Sequence, residues 1–228
     1  MKRLSLLLVM IITVCLAFAG IDEYYTFNAT TGTYTPITGT NAGISSDDAI
    51  SSAIPIEFTF PYGENSYTEI IISSNGWIGL GTSQTSSNLS NNLTSTTIVP
   101  VIAPLWDDCS LAAGSCQYLI SGTAPNRIFT IQYTNLRWNY SSTLSPFFNL
   151  QVRLYENGKI DFVYGSAEGT PNNPSASIGI NMLPGGSGWF YSVTPGTPAT
   201  ASTTTENNAV AVWPGEGTIY EFNPVVAV

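Results

Sequence analysis

The chain is predicted to be all-β: an antiparallel β-sandwich, jelly-roll-like, forming one domain after a signal peptide. Three observations carry this expectation. Short β-branched and aromatic runs recur along the chain, separated by Gly, Pro, Asn and Ser. Helical periodicity is nearly absent once the N-terminal apolar stretch is passed. Ser, Thr and Asn make up nearly a third of the 228 residues while charged residues are only 9%, a surface of hydroxyls and amides that suits an extracellular β-protein. Many short strands joined by tight turns close into two packed sheets and do not build a parallel α/β core.

In chain order, Lys2 and Arg3 precede an apolar core from Leu6 to Phe18, and Ala17-Phe18-Ala19 offers a small-x-small cleavage site. Residues 1–19 therefore read as a secretory signal peptide, and 20–228 as the domain. Strands are expected near 24–28, 33–37, 54–60, 67–74, 76–81, 98–105, 117–121, 127–134, 147–155, 159–164, 176–182, 188–193, 209–213 and 218–222. Between 67–74 and 76–81, Asn75-Gly76 marks a turn, and the glycines at 76, 79 and 81 predict a strand that a neighbour approaches closely. GTAPNR at 122–127 is a further turn, while Ser83–Thr97 and Thr194–Asn208 read as polar surface loops.

One hairpin can be specified to its register. In FFNLQVRLYENGKIDFVYG, a three-residue Glu156-Asn157-Gly158 loop with Gly158 in the left-handed region pairs Leu154 with Ile160, Val152 with Phe162 and Leu150 with Tyr164. The other face then sets Arg153 opposite Asp161 and Tyr155 opposite Lys159. A two-residue loop would set Leu154 against Asp161, so the first register is preferred.

The segments YYTFNATTGTYTPIT, IPIEFTFPYGENSYTEIIISSNGWIGLG, VPVIAPLWDD, GTAPNRIFTIQY, FNLQVRLYENGKIDFVYG and SIGINM follow one another in that order. Their succession resembles a β-sandwich domain of secreted bacterial proteins, found beside sorting modules and proteases, and is similar to the nidogen-type extracellular domain. The resemblance spans about Tyr24 to Met182. It implies a binding, adhesive or accessory domain and supplies no catalytic residues.

Composition narrows the chemistry further. Without the leader, four cations face 15 acids, a net charge near −11, which disfavours nucleic acid and anionic membrane surfaces. No second apolar run is long enough to span a membrane. There is no histidine, which removes the usual general base and zinc ligand. Cys109 and Cys116, the two cysteines outside the leader, read as a disulfide in an exported chain.

In IAPLWDDCSLAAGSC, the adjacent Asp107 and Asp108 leave two readings open: ligands for calcium, or a turn in which Asp107 caps backbone donors and Trp106 packs as core. The aromatics Trp138 and Tyr140, and Trp189 and Tyr191, flank turns and are candidates for stacking on a ligand, with core packing as the alternative. No cofactor is expected unless Ca2+ binds. The expectation is a non-catalytic exported module acting on an extracellular protein or glycan. The alternatives are a carbohydrate-binding module and a surface-filament subunit that exchanges its N-terminal strand.

Overall fold

The computed structural model of the chain describes residues 20–140 and 147–225. The signal peptide expected over residues 1–19 lies outside them. A 3-10 turn, Ile21–Glu23, precedes the strands β1 (Tyr25–Thr31), β2 (Thr40–Asn41), β3 (Ile54–Tyr62), β4 (Asn65–Ser73), β5 (Trp77–Leu80), β6 (Val101–Trp106), β7 (Cys109–Ser110) and β8 (Ser115–Ser121). They are followed by β9 (Ile128–Trp138), β10 (Phe147–Tyr155), β11 (Ile160–Glu168), β12 (Ser177–Asn181), β13 (Phe190–Thr194), β14 (Thr200–Ser202) and β15 (Thr218–Pro224). No helix of the described residues is long and apolar enough to cross a membrane.

Two antiparallel sheets result, as the sequence predicts. The first has the order β1-β15-β11-β10-β9-β8-β2, with β7 also on β9, and the second the order β14-β13-β12-β6-β5-β4-β3. Alternation decides what lies between them. In β3, Ile54, Ile56, Phe58, Phe60 and Tyr62 are buried while Pro55, Glu57 and Thr59 are exposed, the period of two of a strand with one face on a core. Ile131, Tyr133, Leu150, Val152, Phe162, Tyr164, Tyr220 and Phe222 supply the other half of that core.

The β10–β11 hairpin has the register predicted from its loop. Leu154 faces Ile160, Val152 faces Phe162 and Leu150 faces Tyr164, with Gly158 at φ +90°. Arg153 does face Asp161, but the charges pair differently. Arg153 donates to Gln151 Oε1 (3.0 Å from Nη2), while Asp161 is held by Lys159 Nζ (3.1 Å) and the Tyr155 hydroxyl (2.6 Å).

Both outer faces are covered, and neither cover was expected. Residues 33–37, predicted as a strand, are in no sheet. The chain leaves β1 at one edge and enters β2 at the other, crossing the first sheet at right angles. Six inter-strand steps of about 4.8 Å need about 29 Å, which nine residues at about 3.3 Å supply when fully extended. A row of glutamines replaces the missing ladder. Gln151 Nε2 donates to Thr35 O (2.7 Å), Ile37 N–H donates to Gln132 Oε1 (2.8 Å), and Gly39 N–H reaches Gln117 Oε1 (3.4 Å). Gln117, Gln132 and Gln151 are cross-strand neighbours on β8, β9 and β10, so the strap is clasped once per strand. At its start Tyr34 lies on β11, where a Cβ on Gly165 would stand 2.9 Å from the tyrosine ring, and burial pushes the Tyr34 phenol up to about 12.

On the second sheet, the stretch predicted as a polar surface loop, Ser83–Thr97, covers a small second core of Ile71, Trp77, Leu93, Val101, Ala103, Trp106 and Phe190. Trp106 Nε1 donates to Asn88 O (2.7 Å) and Trp77 Nε1 to Ser87 O (2.7 Å). Asn181 fastens the far end, donating to Leu93 O and Ile98 O while accepting from Val101 N–H. The other predicted loop, Thr194–Asn208, contains β14. The strand expected at 209–213 reduces to one bridge, Val210 to Ala176.

Candidate functional site

Loops gather at two opposite poles of the sandwich. At the first, β4 turns into β5 and β6 ends at the WDD corner. Gly76 sits at φ +75°, where a Cβ would fall 1.9 Å from Leu105 O, so only glycine permits this approach of β5 to β6. Asn75 before it is fully buried. It donates to Asp48 Oδ1 (2.8 Å) and accepts from Cys109 N–H (2.8 Å), tying three segments together.

Asp107 points inward. Its carboxylate accepts from Trp138 Nε1 (2.8 Å), Ser175 N–H (2.7 Å), Ser175 Oγ (3.2 Å) and Asp108 N–H (2.9 Å). It caps donors, one of the two readings of the corner. Asp107, with its oxygens taken up by these donors, is not part of the three-carboxylate cluster beside it. Asp108 instead joins Asp47 and Asp48, with ligand oxygens within 4.8 Å of one another. Those three are the carboxylates a hard cation would meet. Desolvation, then the charges of Asp47, Asp48 and Asp107, push Asp108 up to about 6.

The disulfide expected between Cys109 and Cys116 is not formed: both are free, buried thiols. Register explains it. β7 and β8 lie end to end along one edge of β9, with Cys109 opposite Trp138 and Cys116 opposite Tyr133. Five residues of strand separate the partners, about 16 Å before the bulge at Asn135, whereas a disulfide requires Cα atoms within about 7 Å. Burial pushes both thiols up.

The ring candidates divide. Trp138 is fully buried against Phe148, with its indole spent on Asp107, so it does not face a ligand. Tyr191 is buried too, its hydroxyl donating to Tyr25 O (2.9 Å). Tyr140 is 52% exposed beside the WDD corner, its N–H bonded to Asp108 O. Trp189 stands at the opposite pole, half-buried, with its ring centroid 6.4 Å from that of Tyr24.

That opposite pole is concave. The start of β1, the β3–β4 turn, the β10–β11 turn, the β12–β13 loop and the end of β15 converge there. Tyr24 stands between two hollows. One, about 240 Å3, is walled by Glu23, Tyr25, Pro61, Gly158 and Pro224; the other, about 70 Å3, by Glu64, Tyr67, Leu183, Pro184 and Trp189. Gly63 floors both, and a Cβ there would press on the Met182 methyl at 2.9 Å. The Tyr24 hydroxyl donates to Glu64 Oε1 (2.9 Å). In sequence Tyr24 and Tyr67 read only as strand residues. The GGSGW loop was the one visible signal for this pole.

The order of strands, the NG turn, the WDD corner and the ENG hairpin are now all placed in one sandwich. A family model described as NIDO related, that is nidogen-related, matches residues 24–224. The chain belongs to this family. The match runs from Tyr24 at the open pole through the last strand, so it takes in both sheets and both covers. No curated protein and no solved structure matches the chain. Membership in the NIDO-related family points to an extracellular interaction module.

Proposed function

We propose that this NIDO-related domain is a non-catalytic, exported interaction module that binds its partner at the Tyr24 pole. One observation carries the reading. Five chain segments converge there, and three rings, Tyr24, Tyr67 and Trp189, are left half-exposed around two hollows. Convergent loops on a rigid sandwich are where binding residues are concentrated, and part-exposed aromatic rings with a polar handle are the usual anchors. The leader expected at residues 1–19 and the family support export; the lack of histidine supports a role without acid–base catalysis.

The test is a ligand screen on protein and glycan arrays with the wild type, Tyr24→Ala and Trp189→Ala. Binding by the wild type that both variants lose while keeping their cooperative unfolding supports the reading. A ligand held undiminished by both variants contradicts it. A glycan ligand is the second reading, favoured by the Trp189 ring beside Asn65 and Glu64.

A further inference from the structure

Charge distinguishes the two hollows from an ordinary apolar groove. Each has one carboxylate on its wall, Glu23 in the larger and Glu64 in the smaller, and no lysine or arginine lines either. The cations of the domain are committed elsewhere. Arg127 grips Glu156, Arg153 holds Gln151, Lys159 bridges Asp161 and Glu221, and Arg137 lies over Phe147. Glu64 takes the Tyr24 hydroxyl on Oε1, which orients the carboxylate beside the ring and leaves Oε2 for another donor. Aromatic faces next to an unpaired carboxylate are the two components that hold a lysine or arginine: the ring quadrupole attracts the head, the ring and proline surfaces cover the stem, and the carboxylate takes the N–H groups. A sugar needs several neutral donors and acceptors beside its ring, and here Asn65 is the one amide.

Resting on the reading of this pole as the binding surface, we propose that it captures basic side chains of an extended segment of a partner protein, one in each hollow astride Tyr24. The net charge, −9 for the whole chain and near −11 without residues 1–19, draws such a segment in, and the two carboxylates set where it docks.

The experiment titrates the folded domain with hexa-arginine, a neutral Gly-Ser hexapeptide and the neutral oligosaccharide chitohexaose, following tryptophan fluorescence. It is run at about 100 mM salt, where the Debye length is about 10 Å and diffuse attraction is weak. The double variant Glu23→Gln/Glu64→Gln is compared with Asp47→Asn/Asp48→Asn, which removes the same charge at the opposite pole. The expected result is hexa-arginine binding that weakens about tenfold or more in the first variant and less than about twofold in the second, with the Gly-Ser peptide silent. Equal weakening in both variants, or no binding of hexa-arginine, overturns the proposal. Chitohexaose binding that requires Tyr24 and Trp189, without hexa-arginine binding, overturns the basic-segment proposal and leaves the pole as the binding surface. If no probe binds in a Tyr24-dependent way, both readings fail.

Discussion

The two poles of the sandwich are built from similar residues and use them in opposite ways. At the WDD corner Asp107, Trp138 and Asn75 are consumed by the fold. The Asp107 carboxylate has four donors, Trp138 is buried on it, and Asn75 bridges three segments. At the Tyr24 pole a half-exposed aromatic triplet and two exposed carboxylates remain around hollows. A motif that stands out in sequence can therefore mark a folding constraint, while the surface proposed for a partner is assembled from residues far apart in the chain. Tyr24, Gly63 and Trp189 meet only in the folded chain, around one hollow.

The sharpest way to break this contrast is at Asp107. Asp107→Ala leaves the buried Trp138 indole without an acceptor, which costs about 1–3 kcal/mol, and also removes the acceptor of the part-buried Ser175 and Asp108 amides. Urea unfolding should show a loss of about 3 kcal/mol or more. Smaller is the strap. Gln151→Leu removes the donor to Thr35 O and the bond to Gln132 while keeping much of the volume, and should cost about 1–3 kcal/mol. Hydrogen exchange should quicken at Ile37 and Gly39 and stay unchanged on the Trp106 side. The cover over the second sheet rests on burial of Leu93 and two indoles, so it should not respond to that substitution.

The smallest effect concerns Asp108. Its folded value of about 6 lies above its ordinary 3.8, so the fold favours the protonated form. Its contribution to stability is thus absent below pH about 3.8, turns unfavourable as pH rises to about 6, and stays so above. Asp108→Asn should leave stability unchanged near pH 4 and raise it above pH 6, by less than about 1 kcal/mol once solvent screening is allowed for. Thermal unfolding of both proteins across that range checks the sign.

Much of the fold was legible in the sequence, because alternation and turn chemistry are local. The β10–β11 register followed from Asn157-Gly158 and the match of Leu154 to Ile160. The close approach at Gly76 followed from its place in a strand pattern. What was not legible depended on long-range geometry. Residues 33–37 have strand composition but cross a sheet, and the signal lay in Gln117, Gln132 and Gln151, whose alignment needs the register of three strands. The cysteine spacing suggested a bridge, yet both residues fall along one edge of β9, where a strand holds them apart. Of the site, Trp189 was visible through its glycine-rich loop. Tyr24 was not, because nothing local separates a pole residue from the strand it begins.

The central claim is that the WDD pole holds the fold and the Tyr24 pole is free to bind. Side-by-side urea unfolding of Asp107→Ala and Trp189→Ala tests it most directly. The account predicts a loss of about 3 kcal/mol or more for the first and under about 1.5 kcal/mol for the half-buried Trp189. Equal losses, or a larger one at Trp189, would contradict it.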